Sequence, residues 1–194
     1  MRLPSAAHTS RPWRIHEIAA DFRLEDVWAM PTPGGPEDFP QLVKMIVAGN
    51  PFKGSSRAVR VLEAVRLKLG ERFGWDDPEA AVGSRVDSLQ GRLAADLRQT
   101  DPPSFEALPF DSLYLLDDEF AAEGANRTMH GVLHLGWVAD ESGGYRGQLA
   151  ILVKPNGGFG KAYMAAIKPF RHLIVYPTLM RQWDRAWRRR HPGD

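Results

Sequence analysis

Cysteine is absent from the 194-residue chain. Disulfide bonds, thiolate catalysis and zinc or iron–sulfur sites built on cysteine are therefore excluded. The absence agrees with a reducing compartment, and we expect the protein to be cytoplasmic. The sequence also has no signature of a nucleotide, haem or flavin site, so it predicts no cofactor.

Long apolar runs and a strong net charge are missing too. The longest apolar stretch, "LIVYPTLM" (Leu173–Met180), falls far short of the roughly 18 residues that a membrane-spanning helix needs. The N-terminus has no continuous apolar segment like that of a signal peptide. A net charge of +1 provides no overall field that would attract nucleic acid. We therefore expect neither a transmembrane segment nor a nucleic-acid partner, and the oligomeric state stays open.

The remaining composition is that of an ordinary globular protein, with 43% hydrophobic residues. Residues 1–14 are polar and predict a mobile N-terminal tail, so we expect one domain over residues 15–190. "DFRLEDVWAM" (Asp21–Met30) alternates apolar and polar positions, which predicts a half-buried strand. The predicted apolar face of this strand consists of Phe22, Leu24, Trp28 and Met30.

Three helices are predicted from apolar residues at helical spacing. Two follow the first strand, in "PEDFPQLVKMIVAG" (residues 36–49) and "SSRAVRVLEAVRLKLGERFG" (residues 55–74). The third is long and covers residues 156–190, where Pro169 and Pro177 each remove a helical hydrogen bond. We expect these prolines to kink or divide the long helix.

Between these helices the sequence predicts strands. "FEALPF" (residues 105–110), "SLYLLDDEF" (residues 112–120) and "FAAEGA" (Phe120–Ala125) are candidates, and residues 127–138 pair with residues 145–154 as a hairpin. One antiparallel sheet with helices packed on one face is the economical arrangement of these elements. The predicted class is α+β.

Several stretches carry a resemblance to a known family. They are "LEDVWAMPTPGG", "DDEFAAEGANRTMHGVLHLGWV", "LVKPNGGFGKAYMAAIKPFRHLIVYP" and "LMRQW", which together cover most of residues 13–187. The chain resembles an uncharacterised bacterial family, the domain of unknown function 2867. The order of its elements is similar to the START-like, or helix-grip, superfamily of plant allergen-type ligand binders and polyketide cyclases.

This resemblance implies a helix-grip fold, in which a curved antiparallel sheet wraps around the long C-terminal helix. The two shorter helices would then be inserted after the first strand. The superfamily also implies an apolar cavity between sheet and helix. No catalytic residue can be carried over, and a shared fold does not fix the function.

His130 and His134 in "NRTMHGVLHLGW" give the strongest local hint of chemistry. On a strand, residues four apart share a face but lie roughly 13 Å apart. That separation is too large for both to bind one ion at about 2.1 Å per bond, so no metal site is predicted.

Matching the apolar residues of the hairpin predicts its register. Trp137 then faces Tyr145, and Leu133 faces Leu149, while Gly131 and Met129 face Ile151 and Val153. His134 would lie opposite Gln148 and His130 opposite Leu152. The two histidines therefore belong to the outer face of the sheet, as solvated or interface residues.

The apolar face is the better candidate for a site, because ligand pockets are mostly apolar with a few polar groups. The predicted cavity residues are Trp28, Asp26, Leu133, Leu135, Trp137, Tyr145, Leu149, Tyr163 and Phe170. These residues can equally fill a closed core, and the sequence does not decide between a core and a cavity.

Two acidic features have alternative explanations. Asp26 interrupts an apolar strand face, where a carboxylate needs a partner, water or a proton. It is either a catalytic or ligand-orienting acid, or half of an ion pair with an arginine such as Arg127. Asp117–Glu119 with Glu123 could take a hard cation, although a solvated turn explains them more simply.

The sequence favours a module that binds a hydrophobic or amphipathic small molecule between the sheet and the C-terminal helix. A cyclase-, hydratase- or isomerase-type enzyme using the same cavity is an alternative, and whether any reaction is catalysed stays open. A second alternative is a peripheral interaction protein. It would act through the basic, Trp-rich end "RQWDRAWRRRH" (Arg181–His191), although a core helix with basic last turns explains that end more simply.

Overall fold

The computed structural model describes residues 1–50, 86–126, 128–141 and 143–190, together with positions 64, 68, 82 and 83. The side chains of residues 159–163, 166 and 167 lie outside this description. The helix predicted at residues 55–74 also lies outside the described residues, apart from two isolated positions.

The described strands form one five-stranded antiparallel sheet. They are β1 (Arg23–Gly34), β2 (Asp111–Leu115), β3 (Glu119–Ala125), β4 (Met129–Ala139) and β5 (Tyr145–Pro155). Their order across the sheet is β1-β5-β4-β3-β2, so the first strand pairs with the last and the other four form a meander. The strand predicted at residues 120–125 is confirmed. Residues 105–110 form a bend-rich loop instead, because Pro109 cannot donate to a ladder.

Among the described α-helices, two short ones precede β1, one lies between β1 and β2, and two follow β5. Their bounds are α1 (Ala6–Thr9), α2 (Ile15–Ile18), α3 (Phe39–Val47), α4 (Gly157–Phe170) and α5 (Tyr176–Arg190), with a π-helical segment (Arg171–Val175) between the last two. The predicted α+β class, with an antiparallel sheet and a long C-terminal helix, is confirmed. The first of the two helices predicted after β1 is α3, whose apolar stripe is buried.

Both faces of the sheet are covered. On the helix-side face, α3 and α5 pack over a core of buried residues that includes Trp28, Phe39, Leu135, Trp137 and Trp187. On the outer face, residues 13–22 and 89–97 pack over a second cluster that includes Trp13, Ile15, Leu89, Leu97 and Leu152.

The N-terminal segment differs from the predicted mobile tail. His8 is fully buried and Trp13 is 6% exposed, and the backbone N–H of Leu3 donates to the carbonyl of Val27. These residues are packed against the outer face of the sheet. Residues 1–14 are polar and only weakly periodic. They contain no apolar stripe, so this packing could not be predicted from the sequence.

A β-bulge divides β1 into two parts that face opposite ways. Leu24 pairs with Leu152, but Asp26 pairs with Ile151, so Glu25 is an extra residue in β1. The side chains of Phe22 and Leu24 therefore join the outer cluster, whereas Asp26, Trp28 and Met30 face the helix. The single apolar face predicted for residues 22–30 is wrong, because one inserted residue reverses the alternation.

The long helix changes geometry between its two prolines. Pro177 has no N–H to offer the carbonyl of Leu173, and its ring crowds that carbonyl, so a regular α-helix cannot continue. The chain forms the π-helical segment there. The predicted division is confirmed, but the predicted apolar stripe is not continuous, because Leu173 is 76% exposed. The buried positions of α5 are Tyr176, Thr178, Met180 and Trp187.

The bulge generates a prediction about stability. Deletion of Glu25 would force either Asp26 into the apolar outer cluster or Leu24 onto the helix side. In the first case the charge of Asp26 would be buried without a partner, which costs about 3–5 kcal/mol. Substitution Glu25→Ala keeps the residue count and removes only a 3.7 Å contact with Arg171, so it should cost about 1 kcal/mol or less. Chemical denaturation of both variants measures the difference. Equal stability of the two variants would contradict the role assigned to the bulge.

Candidate functional site

A pocket of about 330 Å³ lies between the helix-side face of the sheet and the C-terminal helix. Its walls come from β3, β4, β5, the loop at residues 108–110 and the helical residues 171–183. Most of the lining side chains are apolar, namely Ile46, Leu108, Phe110, Leu133, Leu149, Ile151, Val153, Val175, Leu179 and Trp183. This size and composition are typical of small-molecule pockets.

Two glycines leave the sheet bare beneath the pocket. Gly124 on β3 lies directly opposite Gly131 on β4, and both line the pocket. A Cβ atom at Gly131 would meet no atom closer than 3.8 Å, so a side chain there would extend into open space. A Cβ atom at Gly124 would lie 2.9 Å from the carbonyl oxygen of Pro109, so the loop can approach only a glycine. The floor of the pocket is therefore bare backbone at Gly131, with strand side chains around it.

Asp26 lies beside the pocket and has a partner for each oxygen. Its Oδ1 accepts a hydrogen bond from Nε2 of His172 at 2.5 Å, and its Oδ2 accepts one from the hydroxyl of Tyr176 at 3.0 Å. Nη2 of Arg171 lies 3.2 Å from the same Oδ2. The partner suggested by the sequence, Arg127, lies outside the described residues. Asp26 thus joins β1 to the π-helical segment and α5, which fixes the position of the helix over the sheet.

Tyr176 acts as a hydrogen-bond donor in this cluster. Burial raises the pKa of its hydroxyl, and the negative charge of Asp26 raises it further. The hydroxyl therefore keeps its proton at neutral pH. The Tyr176 ring also packs against Trp28, with ring centroids 4.9 Å apart.

The structure divides the predicted cavity residues into separate groups. Leu133 and Leu149 line the pocket, while Asp26 and Trp28 lie beside it and contact Tyr176. The side chain of Tyr163 is outside the described residues.

The other candidates lie away from the pocket lining. Leu135 and Trp137 belong to the helix-side core, where the Trp137 indole stacks on Tyr145 and donates to the carbonyl of Gly35 at 2.9 Å. Phe170 is half-buried at the end of α4. The core around Trp137 is filled, so core and pocket occupy different ends of the same face.

The outer face holds the two histidines, but they are not solvated. His130 is 4% exposed and His134 is 0% exposed, so the expectation of solvated or interface residues is wrong. The face itself was predicted correctly. The residues that cover them come from the N-terminal segment and from residues 88–99, neither of which the sequence placed against the sheet.

Each histidine is paired with a buried glutamate of β3. Nε2 of His134 lies 3.0 Å from Glu119, and Nε2 of His130 lies 2.7 Å from Glu123. The predicted solvated turn therefore does not describe these two glutamates, although Asp117 and Asp118 do lie in the turn.

Each glutamate also binds backbone of a covering segment. Glu119 accepts from the N–H groups of Arg14 and Ile15 at 2.9 and 3.0 Å, and from the hydroxyl of Tyr114 at 2.6 Å. Glu123 accepts from Ser88 Oγ at 2.5 Å and from the N–H of Leu89 at 3.1 Å. The two carboxylates hold the covering layer to the sheet.

These contacts keep both glutamates ionised. Burial opposes ionisation of Glu119, but hydrogen bonds and charge from His134, with the Tyr114 hydroxyl, outweigh it and hold the pKa of Glu119 below its usual value. Burial likewise opposes ionisation of Glu123, and His130 together with Ser88 lowers the pKa of that carboxyl.

A chain of three imidazoles extends from Glu119 to the protein surface. Nδ1 of His134 lies 3.2 Å from Nε2 of His8, and Nδ1 of His8 lies 3.1 Å from Nε2 of half-buried His16. Since Glu119 can only accept, neutral imidazoles would each donate from Nε2 and accept at Nδ1. Among the described residues, no group of three or more histidines and acids could hold a metal ion.

The paired glutamates were missed, although the sequence carried a signal. Glu119 and Glu123 are four residues apart, as are His130 and His134, and the two sets lie on adjacent antiparallel strands. Each glutamate therefore meets its histidine at the same diagonal offset across the ladder. Matched spacing of acids and histidines on the two strands of a hairpin indicates such pairs.

The register of the β4–β5 hairpin differs from the prediction by two residues. Leu133 pairs with Ile151 rather than Leu149, and His134 pairs with Ala150 rather than Gln148. An even shift leaves every side chain on its predicted face, because the side-chain period of a strand is two. The hairpin loop is two residues shorter than assumed, because β4 extends to Ala139, which pairs with Tyr145.

The fold and pocket define an α+β protein in which a long C-terminal helix packs across an antiparallel sheet and leaves an apolar-walled opening at one end. The chain belongs to a protein family described as "Protein of unknown function (DUF2867)", whose family model matches residues 18–178. No curated protein and no solved structure matches the chain. Among the described helices, none is both long and apolar enough to cross a membrane.

The imidazole chain generates a prediction about pH. Burial, followed by the charges of His134 and His16, lowers the pKa of His8 from about 6.5 to about 3. The unfolded chain therefore binds a proton near pH 6.5 that the folded chain does not bind until near pH 3. His8 contributes stability above pH 6.5 that is lost as the pH falls through this window, by about 2 kcal/mol at pH 5.

The variant His8→Gln tests this expectation. Its free energy of unfolding should fall less than that of the original protein between pH 7.5 and pH 5, whatever its value at pH 7.5. Urea denaturation of both proteins at the two pH values gives the change in the free energy of unfolding with pH for each. An equal change in the two proteins would show that His8 is not the titrating group in this range.

Proposed function

We propose that this protein binds a hydrophobic or amphipathic small molecule in the pocket between the sheet and the C-terminal helix. The observation that carries the proposal is Gly131, which leaves an apolar-walled space where a side chain would otherwise fill the core. Natural cores are packed to high density, and an opening of this size is costly unless something occupies it. The resemblance to START-like proteins, many of which hold ligands in this position, supports the same proposal.

An enzyme of the cyclase, hydratase or isomerase type is less well supported. Such an enzyme needs a base that can reach the substrate. Asp26 is the acid nearest to the pocket, but His172 and Tyr176 already occupy its two oxygens. The cluster is better suited to positioning the helix than to removing a proton.

A peripheral role for the C-terminal end is also less well supported. Trp187 is 1% exposed and its indole donates to the carbonyl of Pro33, while Trp183 lines the pocket. Neither indole is therefore presented for insertion into a membrane surface. The arginines of α5 remain at the surface, as expected for the end of a core helix.

Filling the pocket from its floor tests the proposal. Substitution Gly131→Leu adds a side chain whose Cβ meets backbone oxygens no closer than 3.8 Å, which is ordinary contact without a clash, and the side chain extends into the pocket. We expect the neutral fluorescent probe N-phenyl-1-naphthylamine to bind the original protein, Gly131→Ala more weakly, and Gly131→Leu at least roughly ten-fold more weakly still. Native mass spectrometry of the purified original protein should show a bound small molecule that Gly131→Leu lacks.

A matched control is Ala94→Leu, which adds similar bulk at an exposed position of the covering segment. It should leave probe binding unchanged. Thermal unfolding of all variants verifies that they are folded. Equal probe binding by the original protein and a folded Gly131→Leu variant would refute binding in this pocket.

A further inference from the structure

Side chains of the pocket wall carry N–H groups that make no hydrogen bond within the part of the chain that the structure describes. The amide oxygen of Asn126 accepts from the backbone N–H groups of Thr128 and Met129, at 2.8 and 3.1 Å, and this fixes the orientation of the amide. Its Nδ2 group makes no hydrogen bond with any described residue, and neither does the indole N–H of Trp183. Both residues line the pocket, as does Arg171, whose buried Nε and Nη2 also make no hydrogen bond with the described residues, so the pocket's available polar groups are N–H donors.

The charge at the pocket wall is already balanced. Arg171 lines the pocket, and its charge is compensated because Nη2 lies 3.2 Å from Asp26 and 3.7 Å from Glu25, although its buried Nε and Nη2 make no hydrogen bond with the described residues. A carboxylate entering the pocket would lose its hydration without meeting an uncompensated positive charge. An ammonium group would meet the two donors and find no free carboxylate among the described lining residues.

We propose that the ligand is a neutral, largely apolar molecule with a carbonyl oxygen, such as a ketone, ester or amide, that accepts hydrogen bonds from Asn126 and Trp183. A carbonyl oxygen has two lone pairs and no proton, so it matches two N–H donors. The apolar walls contact the remainder of the molecule. This inference rests on the proposed function, since it assigns the chemistry of the molecule that the same pocket binds.

Three probes of equal chain length separate the possible headgroups. They are 2-octanone labelled with ¹³C at the carbonyl carbon, octanoate and octylammonium, each titrated into the full chain and followed by NMR. We expect 2-octanone to bind at least roughly ten-fold more tightly than either ion, because the ions lose hydration that the pocket does not replace. Its ¹³C carbonyl resonance should move downfield on binding, as expected for an oxygen that accepts hydrogen bonds.

Substitution Asn126→Asp isolates one donor. It keeps an oxygen for Thr128 and Met129 and replaces the Nδ2 donor by an acceptor, so 2-octanone should bind roughly three- to ten-fold more weakly and its carbonyl resonance should move back upfield. Trp183→Phe keeps an aromatic ring and removes the other N–H. It should also weaken binding of 2-octanone and move its carbonyl resonance upfield. Gln99→Glu makes the same amide-to-acid change at an exposed position on the outer side. It should alter neither the affinity for 2-octanone nor the carbonyl chemical shift of the bound probe.

The outcomes for the two proposals are distinct. If the three probes bind equally, or if Asn126→Asp and Trp183→Phe bind 2-octanone as the original protein does, the carbonyl inference fails while the pocket remains a binding site. If none of the probes binds and native mass spectrometry shows no bound molecule, the proposed function itself fails. Since 2-octanone binding and its carbonyl shift are measured on the original protein, the test does not depend on the folding of any variant.

Discussion

Two buried carboxylates hold the layers of this protein together. Glu119 and Glu123 lie on the outer face of β3, where neither could stay ionised without compensation. Each obtains it from a histidine of β4 and from N–H groups of a segment that crosses the sheet. The covering segments are short and irregular. Their apolar side chains are buried because these polar contacts fix the position of the segments on the sheet. The outer layer therefore depends on a repeated Glu–His pair more than on helical propensity.

That outer layer also affects the opposite face. Because residues 13–22 and 89–97 cover one side of the sheet, the apolar residues on that side are buried without help from the C-terminal helix. The helix has only the other face to cover, and it covers that face unevenly. Trp137 and Trp187 fill one end, whereas Gly131 leaves the other end open. Asp26 sets the helix position between the two ends by its contacts with His172 and Tyr176.

Much of this fold could be predicted from periodicity, and the failures have physical causes. The class, the α3 stripe, the hairpin and the proline-divided helix all follow from local patterns. The predicted β4–β5 register was wrong by two residues, yet the faces of His130 and His134 were right because the period of a strand is two. In β1 the opposite happened, since the single extra residue Glu25 reversed the faces of Phe22 and Leu24.

The candidate site was predictable only in outline. Leu133 and Leu149 line the pocket as expected, but Trp137 and Tyr145 fill the core, and alternation alone cannot tell a lining residue from a packed one. Two partners of Asp26, Arg171 and His172, come from the π-helical segment, whose existence depends on how the chain accommodates Pro177. The buried polar network of the outer face involves residues more than a hundred positions apart, as in the contact between His8 and His134. No local pattern reports a contact of that range.

The backbone floor at Gly124 and Gly131 has a consequence for how long the opening lasts. A space left by a missing side chain can shrink when neighbouring side chains change rotamer or a helix shifts slightly. At Gly131 the floor is held by the hydrogen bonds of two antiparallel ladders, and this position has no side chain that could rotate to fill the space. That part of the opening therefore persists for as long as the strands stay paired.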